Sequence, residues 1–327
     1  MIHLLFTGGT ISMQRDAAAG GNVPAHGGER LVELAPGLRQ VGSFRIEDWA
    51  RLPACHLGPD RLWALRERVR EIQEGVRSTG EGPAQGIVVT HGTDVLEETA
   101  YLLARTLDPN VPVAVTGAMR TSSDEAWDGP RNLVDAATVA ASAASAGRGA
   151  MVVFAGKVYA GHEAVKVHTV DPEAFAAPHG APLGRVGGGR VEYHRPGGPP
   201  RRLAPHGLAA RVALIPAVLG DDGRLLDLAR PHYDGCVLVA FGSGNVPPGL
   251  VPAVTRWLQD RKPVVLASRC PWGEVAPLYA FDGGGARLAA MGVILAGPRT
   301  PSQARMELTI AMSAGVPYGA STEPAAT

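Results

Sequence analysis

The chain has few cysteines, no charge excess and no long apolar run, and each shortage excludes something. Its three cysteines, Cys55, Cys236 and Cys270, are odd in number, far apart and without a CxxC pair. That excludes a disulfide framework and a zinc knuckle, and it suits a reducing compartment. The 31 Lys and Arg residues balance 31 Asp and Glu residues, and no basic stripe interrupts the mixture. A nucleic-acid partner, which needs such a stripe, is not expected, and a small-molecule substrate is. The apolar run at the amino terminus, Ile2 to Phe6, lacks a basic flank and is too short for a signal peptide or a membrane span. A soluble, cytoplasmic protein without a membrane partner is the expectation. There is no internal repeat. Gly and Pro, 42 and 27 residues of 327, stay below the roughly 25–30% that marks low-complexity chains.

At 327 residues the chain is long enough for two domains. Short apolar runs alternate with amphipathic stretches through its first half. Ile2 to Phe6, Gly86 to Thr90, Val111 to Thr116 and Ala150 to Ala155 read as buried strands. Pro59 to Gln73, with Leu62, Leu65, Val69 and Ile72 at helical spacing, reads as a helix, as does Leu96 to Leu107. Asp94 followed by Glu97 reads as a capping box for the latter. A further helix is expected from Asp128-Gly129-Pro130. Met13 to Gly28 shows neither period and reads as a long mobile loop, able to act as a lid. This alternation predicts an α/β fold, a mostly parallel sheet with helices on both faces, followed by a smaller α/β domain.

The Gly- and Pro-rich stretch from Gly184 to Pro205 suggests boundaries: a catalytic α/β domain over 1–186, a linker over 187–211 and a carboxyl-terminal α/β domain over 212–327. In that second domain Val212 to Ile215, Cys236 to Ala240 and Val264 to Ala267 read as strands and Leu250 to Gln259 as a helix. A last helix has Thr300 as N-cap, Pro301 in its first turn and Gly315 at its stop. The tail after Gly319 reads as disordered.

Polar clusters follow several of these strands: Thr7-Gly8-Gly9-Thr10, His91-Gly92-Thr93-Asp94 and Gly117-Ala118-Met119-Arg120. In a parallel sheet such strand ends share one edge, where ligands bind. A threonine hydroxyl becomes a nucleophile only when a base takes its proton or cations lower its pKa, and Lys166 with Asp94 supplies those types for a second hydroxyl, Thr93. Asp94 can equally hold a substrate ammonium group. His162-Glu163 with His168 resembles a fragment of a metalloprotease site. The second histidine, however, comes six residues on instead of four and would leave the helical face. Gly242-Ser243-Gly244 fits neither a serine elbow nor a phosphate loop, and Gly283-Gly284-Gly285 reads as a hairpin or surface turn.

TGGTIS at 7–12, VVTHGTDVLEETAYLL at 88–103, AVTGAMR at 114–120 and DGPRNL at 128–133 together resemble the bacterial-type L-asparaginase family in order and spacing. The resemblance implies the two-domain asparaginase-like fold and hydrolysis of L-asparagine to L-aspartate and ammonia through an ester on threonine, with neither metal nor cofactor. It makes Thr10 the primary nucleophile and Thr93, Asp94 and Lys166 a second triad. Ala118 becomes a residue whose backbone positions the substrate amide, and Asn245 in FGSGN one that supports the neighbouring site. It further implies a homodimer or homotetramer with each site between subunits. Two departures stand out. The family's mobile loop offers a tyrosine to the nucleophile, whereas no Tyr occurs between Met1 and Glu81, and the nearest aligned residues are Gly20-Gly21-Asn22-Val23. The loop that carries Ser then Gln or Asn for the substrate α-carboxylate here reads Ala54-Cys55-His56-Leu57. Cys55 can replace the serine and His56 donate, or the preference has shifted to glutamine or another carboxamide. The remaining alternatives are an amino-acid-binding protein that has lost turnover, and a transfer-RNA-dependent amidotransferase subunit. The latter is disfavoured because such subunits carry an extra amino-terminal domain.

Overall fold

The structure, a computed structural model, describes residues 1–75, 84–198 and 201–319. The chain divides into two compact units that meet between Arg202 and Leu203. In chain order the first holds β1 (Ile2–Gly8), β2 (Met13–Asp16), β3 (Gly21–Pro24), α1 (Gly28–Glu33), β4 (Phe44–Leu52), α2 (Pro59–Gln73), β5 (Gly86–Thr90) and α3 (Leu96–Thr106). It continues with β6 (Val113–Thr116), α4 (Gly129–Ala141), β7 (Ala150–Phe154), β8 (Lys157–Ala160), β9 (Val165–Lys166), β10 (Phe175–Ala176), β11 (Gly184–Gly187) and β12 (Arg190–Tyr193).

One sheet organises this unit, in the order β12-β11-β8-β7-β6-β5-β1-β4. From β4 to β7 neighbouring strands are parallel, and the outer strands β8, β11 and β12 are antiparallel. Every residue of β1 is buried, as expected of a strand covered on both faces. Its side chains alternate: Leu4 and Phe6 join Leu133, Ala136 and Ala137 of α4 on one face, while Leu5 joins Leu65 and Val69 of α2 and Leu103 of α3 on the other. The chain runs from β1 to β4 on one side, then crosses to β5 on the other. The strand order therefore reverses at β1 and β5, the place where open α/β sheets form a ligand crevice beyond the strands' carboxyl ends.

Three readings are corrected. The expected loop over Met13 to Gly28 contains the β2–β3 hairpin, with Met13 opposite Pro24 and Asp16 opposite Gly21. Half of its strand residues face solvent on a two-stranded ribbon, so no apolar alternation marks it. Asp94 and Glu97 form no capping box: α3 is preceded by Val95 with no side-chain cap, and both carboxylates turn instead to Lys166. The triple glycine at 187–189 is the turn of the β11–β12 hairpin, with φ of +58° and +74° at Gly188 and Gly189, so residues 187–193 of the stretch expected as linker extend the sheet.

The second unit holds β13 (Val212–Pro216), α5 (Arg224–Ala229), β14 (Gly235–Ala240), α6 (Val251–Gln259), β15 (Val264–Ser268), α7 (Gly285–Ala290), β16 (Ile294–Leu295) and α8 (Pro301–Ser313). Its strands run parallel in the order β13-β14-β15-β16. Leu238 and Leu266 pack on Val254 and Trp257 of α6 on one face, and Val237 and Val265 on Ala304 and Leu308 of α8 on the other. The Thr300 hydroxyl accepts from the Gln303 amide while the Gln303 side chain accepts from the Thr300 amide, a capping box that starts α8. The glycines at 283–285 lead directly into α7. The tail after Gly319 lies outside the described residues.

Candidate active site

Glycines let the strand ends of the large sheet close on one another. Gly9, with φ of +85°, has no room for a side chain: a Cβ there would lie 2.4 Å from both the N and Cα of Gly92. A Cβ on Gly92 would fall 2.7 Å from the Cβ of Ala54, and one on Gly117 would fall 2.4 Å from the His91 carbonyl. The loops after β1, β4, β5 and β6 therefore touch through their main chains. Thr10 and Thr93 each follow directly on one of these paired glycines. The Thr7 hydroxyl adds a 2.7 Å bond to the Thr90 carbonyl, tying β1 to β5.

Lys166 reaches this edge from β9, which is held antiparallel to β10 with Lys166 opposite Phe175. Its amide donates to the Glu97 carboxylate at 2.6 Å, which fixes the strand to the first turn of α3. Its ammonium donates to the Thr93 hydroxyl at 2.8 Å and to Asp94 Oδ1 at 3.2 Å. The Asp94 side chain is 65% exposed, so that ion pair alone stabilises the fold little. The contact with Thr93, which is only 5% exposed, is the informative one. As a cation the group favours negative charge on the threonine oxygen, and as a free amine it can take the hydroxyl proton.

The loop after β6 is held by residues that sequence reading placed in a family motif without a role. Both oxygens of Asp128 accept main-chain hydrogens, from Met119 at 3.0 Å and Arg120 at 2.9 Å. The Asn132 amide donates to the Gly117 carbonyl at 3.0 Å and to Asp128 at 3.2 Å, and its oxygen accepts from the Ala155 amide at 3.1 Å. Ala118, fully buried, sits inside this clamp. A short polar side chain at a helix start is the signal that could have revealed it.

His91 plays a comparable part in the loop after β5. One ring nitrogen lies 2.7 Å from the Gly92 carbonyl and the other 3.0 Å from the Thr99 hydroxyl. The carbonyl can only accept, so Nδ1 carries the proton and Nε2 accepts from Thr99. Burial holds the ring's pKa down at about 4, and the ring is neutral. The β2–β3 hairpin is pinned at its base: the Met13 carbonyl accepts from the amide and hydroxyl of Ser122, both at 3.1 Å, and Ser122 meets His26 Nε2 at 2.8 Å. Burial, with help from Arg30, lowers the His26 pKa.

Cys55 and His56 occupy a single exposed turn after β4, next to Ala54, which packs on Gly92. Asn245 lies in the second unit, where its main chain pairs with Phe241 and its side-chain oxygen accepts from the Gly285 amide at 3.4 Å. His162 faces Glu163, which also pairs with Arg195, and among the described residues no group of three or more His, Cys, Asp or Glu side chains is placed to hold a metal ion. Asp94, Lys166, Val167, His168 and Thr169 line a cavity of about 440 Å³.

Residues 1–197 match the family described as "Asparaginase, N-terminal", and residues 211–319 match "Glutaminase/Asparaginase C-terminal domain". The chain belongs to the asparaginase family. Among its asparaginase relatives is a probable L-asparaginase of Deinococcus radiodurans, 35% identical over 96% of this chain and 93% of that protein. L-asparaginase 2 of Escherichia coli is 30% identical over 95% of this chain and 88% of its own. The crystal structure of a probable cytoplasmic L-asparaginase from Campylobacter jejuni superposes with a TM-score of 0.84 at 26% identity, covering 95% of this chain and 94% of that one. The two-domain asparaginase fold is thus shared, and no helix among the described residues is long and apolar enough to cross a membrane.

Proposed function

We propose that this chain is an L-asparagine amidohydrolase. Thr10 attacks the side-chain carboxamide: its oxygen bonds to the carbonyl carbon, the C–N bond breaks, and ammonia leaves with the hydroxyl proton. Water then cleaves the resulting ester, releasing L-aspartate and restoring Thr10. Thr93, Lys166 and Asp94 form the second triad, in which Lys166 governs the charge on the Thr93 oxygen. The close-packed glycine main chains and the Thr93 region stabilise the oxyanion, and the Ala118 main chain orients the amide. Asp94 takes the substrate ammonium group, and Cys55 and His56 face its α-carboxylate. The observation that carries this reading is the 2.8 Å contact between the Lys166 ammonium and the Thr93 hydroxyl, at the strand edge where Gly9 and Gly92 interlock.

The experiment is direct. Purified protein mixed with L-asparagine should release ammonia, while Thr10→Ala should release none above background and Lys166→Met should lose on the order of 10²–10⁴ in kcat. Equal ammonia release by wild type and Thr10→Ala would reject the reading. A shifted carboxamide preference has one specific support, the Cys55-His56 pair in place of Ser with Gln or Asn. Cys55→Ser and His56→Gln, assayed on asparagine and glutamine, decide it. The functional unit we propose is a cytoplasmic homodimer or homotetramer, with Asn245 supporting a neighbouring site. The exposed side chains of Leu214, Leu225 and Leu228, which line one surface hollow of the second unit, support association, and light scattering of the purified protein gives its mass.

A further inference from the structure

Lys166 stands on a strand too short to hold it firmly. β9 has two residues and pairs with β10 alone, and across that ladder the next amide, that of Val167, donates to the Ala174 carbonyl at 2.7 Å. In an antiparallel pair every second residue bonds its partner, so the Lys166 amide faces away from β10. Its acceptor is the Glu97 carboxylate, at 2.6 Å. Glu97 lies in the first turn of α3, shortly after Thr93 and Asp94 in the chain. The Lys166 side chain, 18% exposed, returns to those same residues, with Nζ 2.8 Å from the Thr93 hydroxyl and 3.2 Å from Asp94 Oδ1. One residue of β9 therefore meets the segment 93–97 twice, by its main chain and by its ammonium group.

From this arrangement we infer that Glu97 is a positioning residue for the proposed reaction: by holding the Lys166 main chain against α3, its carboxylate keeps the Lys166 ammonium on the Thr93 hydroxyl. The inference rests on the proposed reading of Thr93 and Lys166 as members of the second triad. A lysine carries its charge on a flexible four-carbon stem, so slack at its main chain passes to the ammonium. A carboxylate that accepts from an amide makes a short, charge-assisted bond, and that bond fixes the point from which the stem swings. The ion pair with Asp94, whose side chain is 65% exposed, is open to water and cannot hold the group as firmly. Because Glu97 and Thr93 belong to one continuous stretch leading into α3, the bond also sets Lys166 relative to the very residue it must reach.

Glutamine at position 97 keeps an oxygen that can accept from the Lys166 amide, whereas alanine removes it. We expect Glu97→Ala to lower kcat for L-asparagine by roughly 10–100-fold, with KM within about threefold, and Glu97→Gln to recover most of that loss. A double-mutant cycle separates positioning from plain stability. In a Lys166→Met background Glu97→Ala should cost less than about twofold more in kcat, because the group it acts through is gone. Full additivity in that cycle overturns the inference, as does a Glu97→Ala enzyme that melts lower but keeps wild-type kcat. A second readout needs no turnover. The chain has three lysines, Lys157, Lys166 and Lys262, so in lysine side-chain NMR spectra Lys166 is the signal lost in Lys166→Met. That signal should move towards the position of a free lysine side chain in Glu97→Ala and stay near its wild-type position in Glu97→Gln. An unmoved signal in Glu97→Ala overturns the inference. If wild type releases no ammonia, the proposed function falls by itself, and the NMR comparison still decides whether Glu97 holds Lys166 in place.

Discussion

At the residue scale, Lys166 makes two contacts of unequal value. Its pairing with the exposed Asp94 carboxylate is the kind of surface ion pair worth up to about 1 kcal/mol. In the proposed function its contact with the buried Thr93 hydroxyl serves chemistry. Lys166→Arg tests which one matters, because arginine keeps a positive charge for Asp94 but cannot give up a proton at working pH. We expect kcat to fall nearly as far as in Lys166→Met, and an arginine enzyme with wild-type kcat would show that charge alone suffices. Gly9 makes a second case. With φ of +85° and a Cβ position 2.4 Å from the Gly92 main chain, Gly9→Ala meets backbone strain and a collision that no rotamer relieves. We expect a loss of at least about 2 kcal/mol in stability, seen as a lower melting temperature, together with loss of ammonia release. Thr10, Thr93 and Asp94 drew attention in the sequence because their motifs resemble a known family. His168 was weighed only as a zinc ligand, since nothing in a lone histidine shows that the amides of Val170 and Asp171 will donate to its ring. The contact between Gly9 and Gly92 was equally hidden, because it joins loops 83 residues apart whose closeness exists only in the folded sheet.

At the element scale, β1, β5, β6 and β7 and the long helices were readable to within a residue or two because each presents a continuous apolar run or a helical stripe to the two-sided core. Pro59–Gln73 and Gly86–Thr90 are the clearest cases. Among the elements that escaped reading are some stabilised from outside themselves. The β2–β3 hairpin is pinned by Ser122, about a hundred residues further on, and Glu97 leaves its own helix end for the Lys166 amide. The clamp at the start of α4 is of the same kind, since Asn132 joins the loop after β6 to the turn after β7. Asn132→Ala strands the Gly117 carbonyl and the Ala155 amide in a buried place. We expect a loss of about 2–4 kcal/mol in stability, measured by urea unfolding, and a fall in kcat through the displaced Ala118 main chain. A stable variant with normal kcat would show that the loop holds its shape without the clamp.

At the scale of the whole molecule, formal charges balance, so the response of stability to pH falls to the few groups that folding shifts. Two of them lie in the first unit and oppose each other. Burial pushes the Asp135 carboxyl up to about 6, against the weaker pull of Arg131 at 3.7 Å, and its buried Oδ2 has no hydrogen-bond partner. A carboxyl with a raised folded pKa binds its proton more tightly when folded, so the stability it contributes is present below its unfolded pKa of 3.8 and is lost as pH rises through about 6. His91 runs the other way. Its folded pKa of about 4 lies below the unfolded 6.5, so its contribution is present above 6.5 and is lost as pH falls towards 4. Each shift corresponds to about 3 kcal/mol, and the windows overlap, so the two nearly cancel between pH 4 and 6. Asp135→Asn removes one side of that balance. The variant should be more stable than wild type at pH 7, by up to about 3 kcal/mol, and should then lose about that much more than wild type on acidification from pH 6.5 to 4. Urea midpoints across that range measure both curves, and parallel curves would mean that Asp135 does not titrate there.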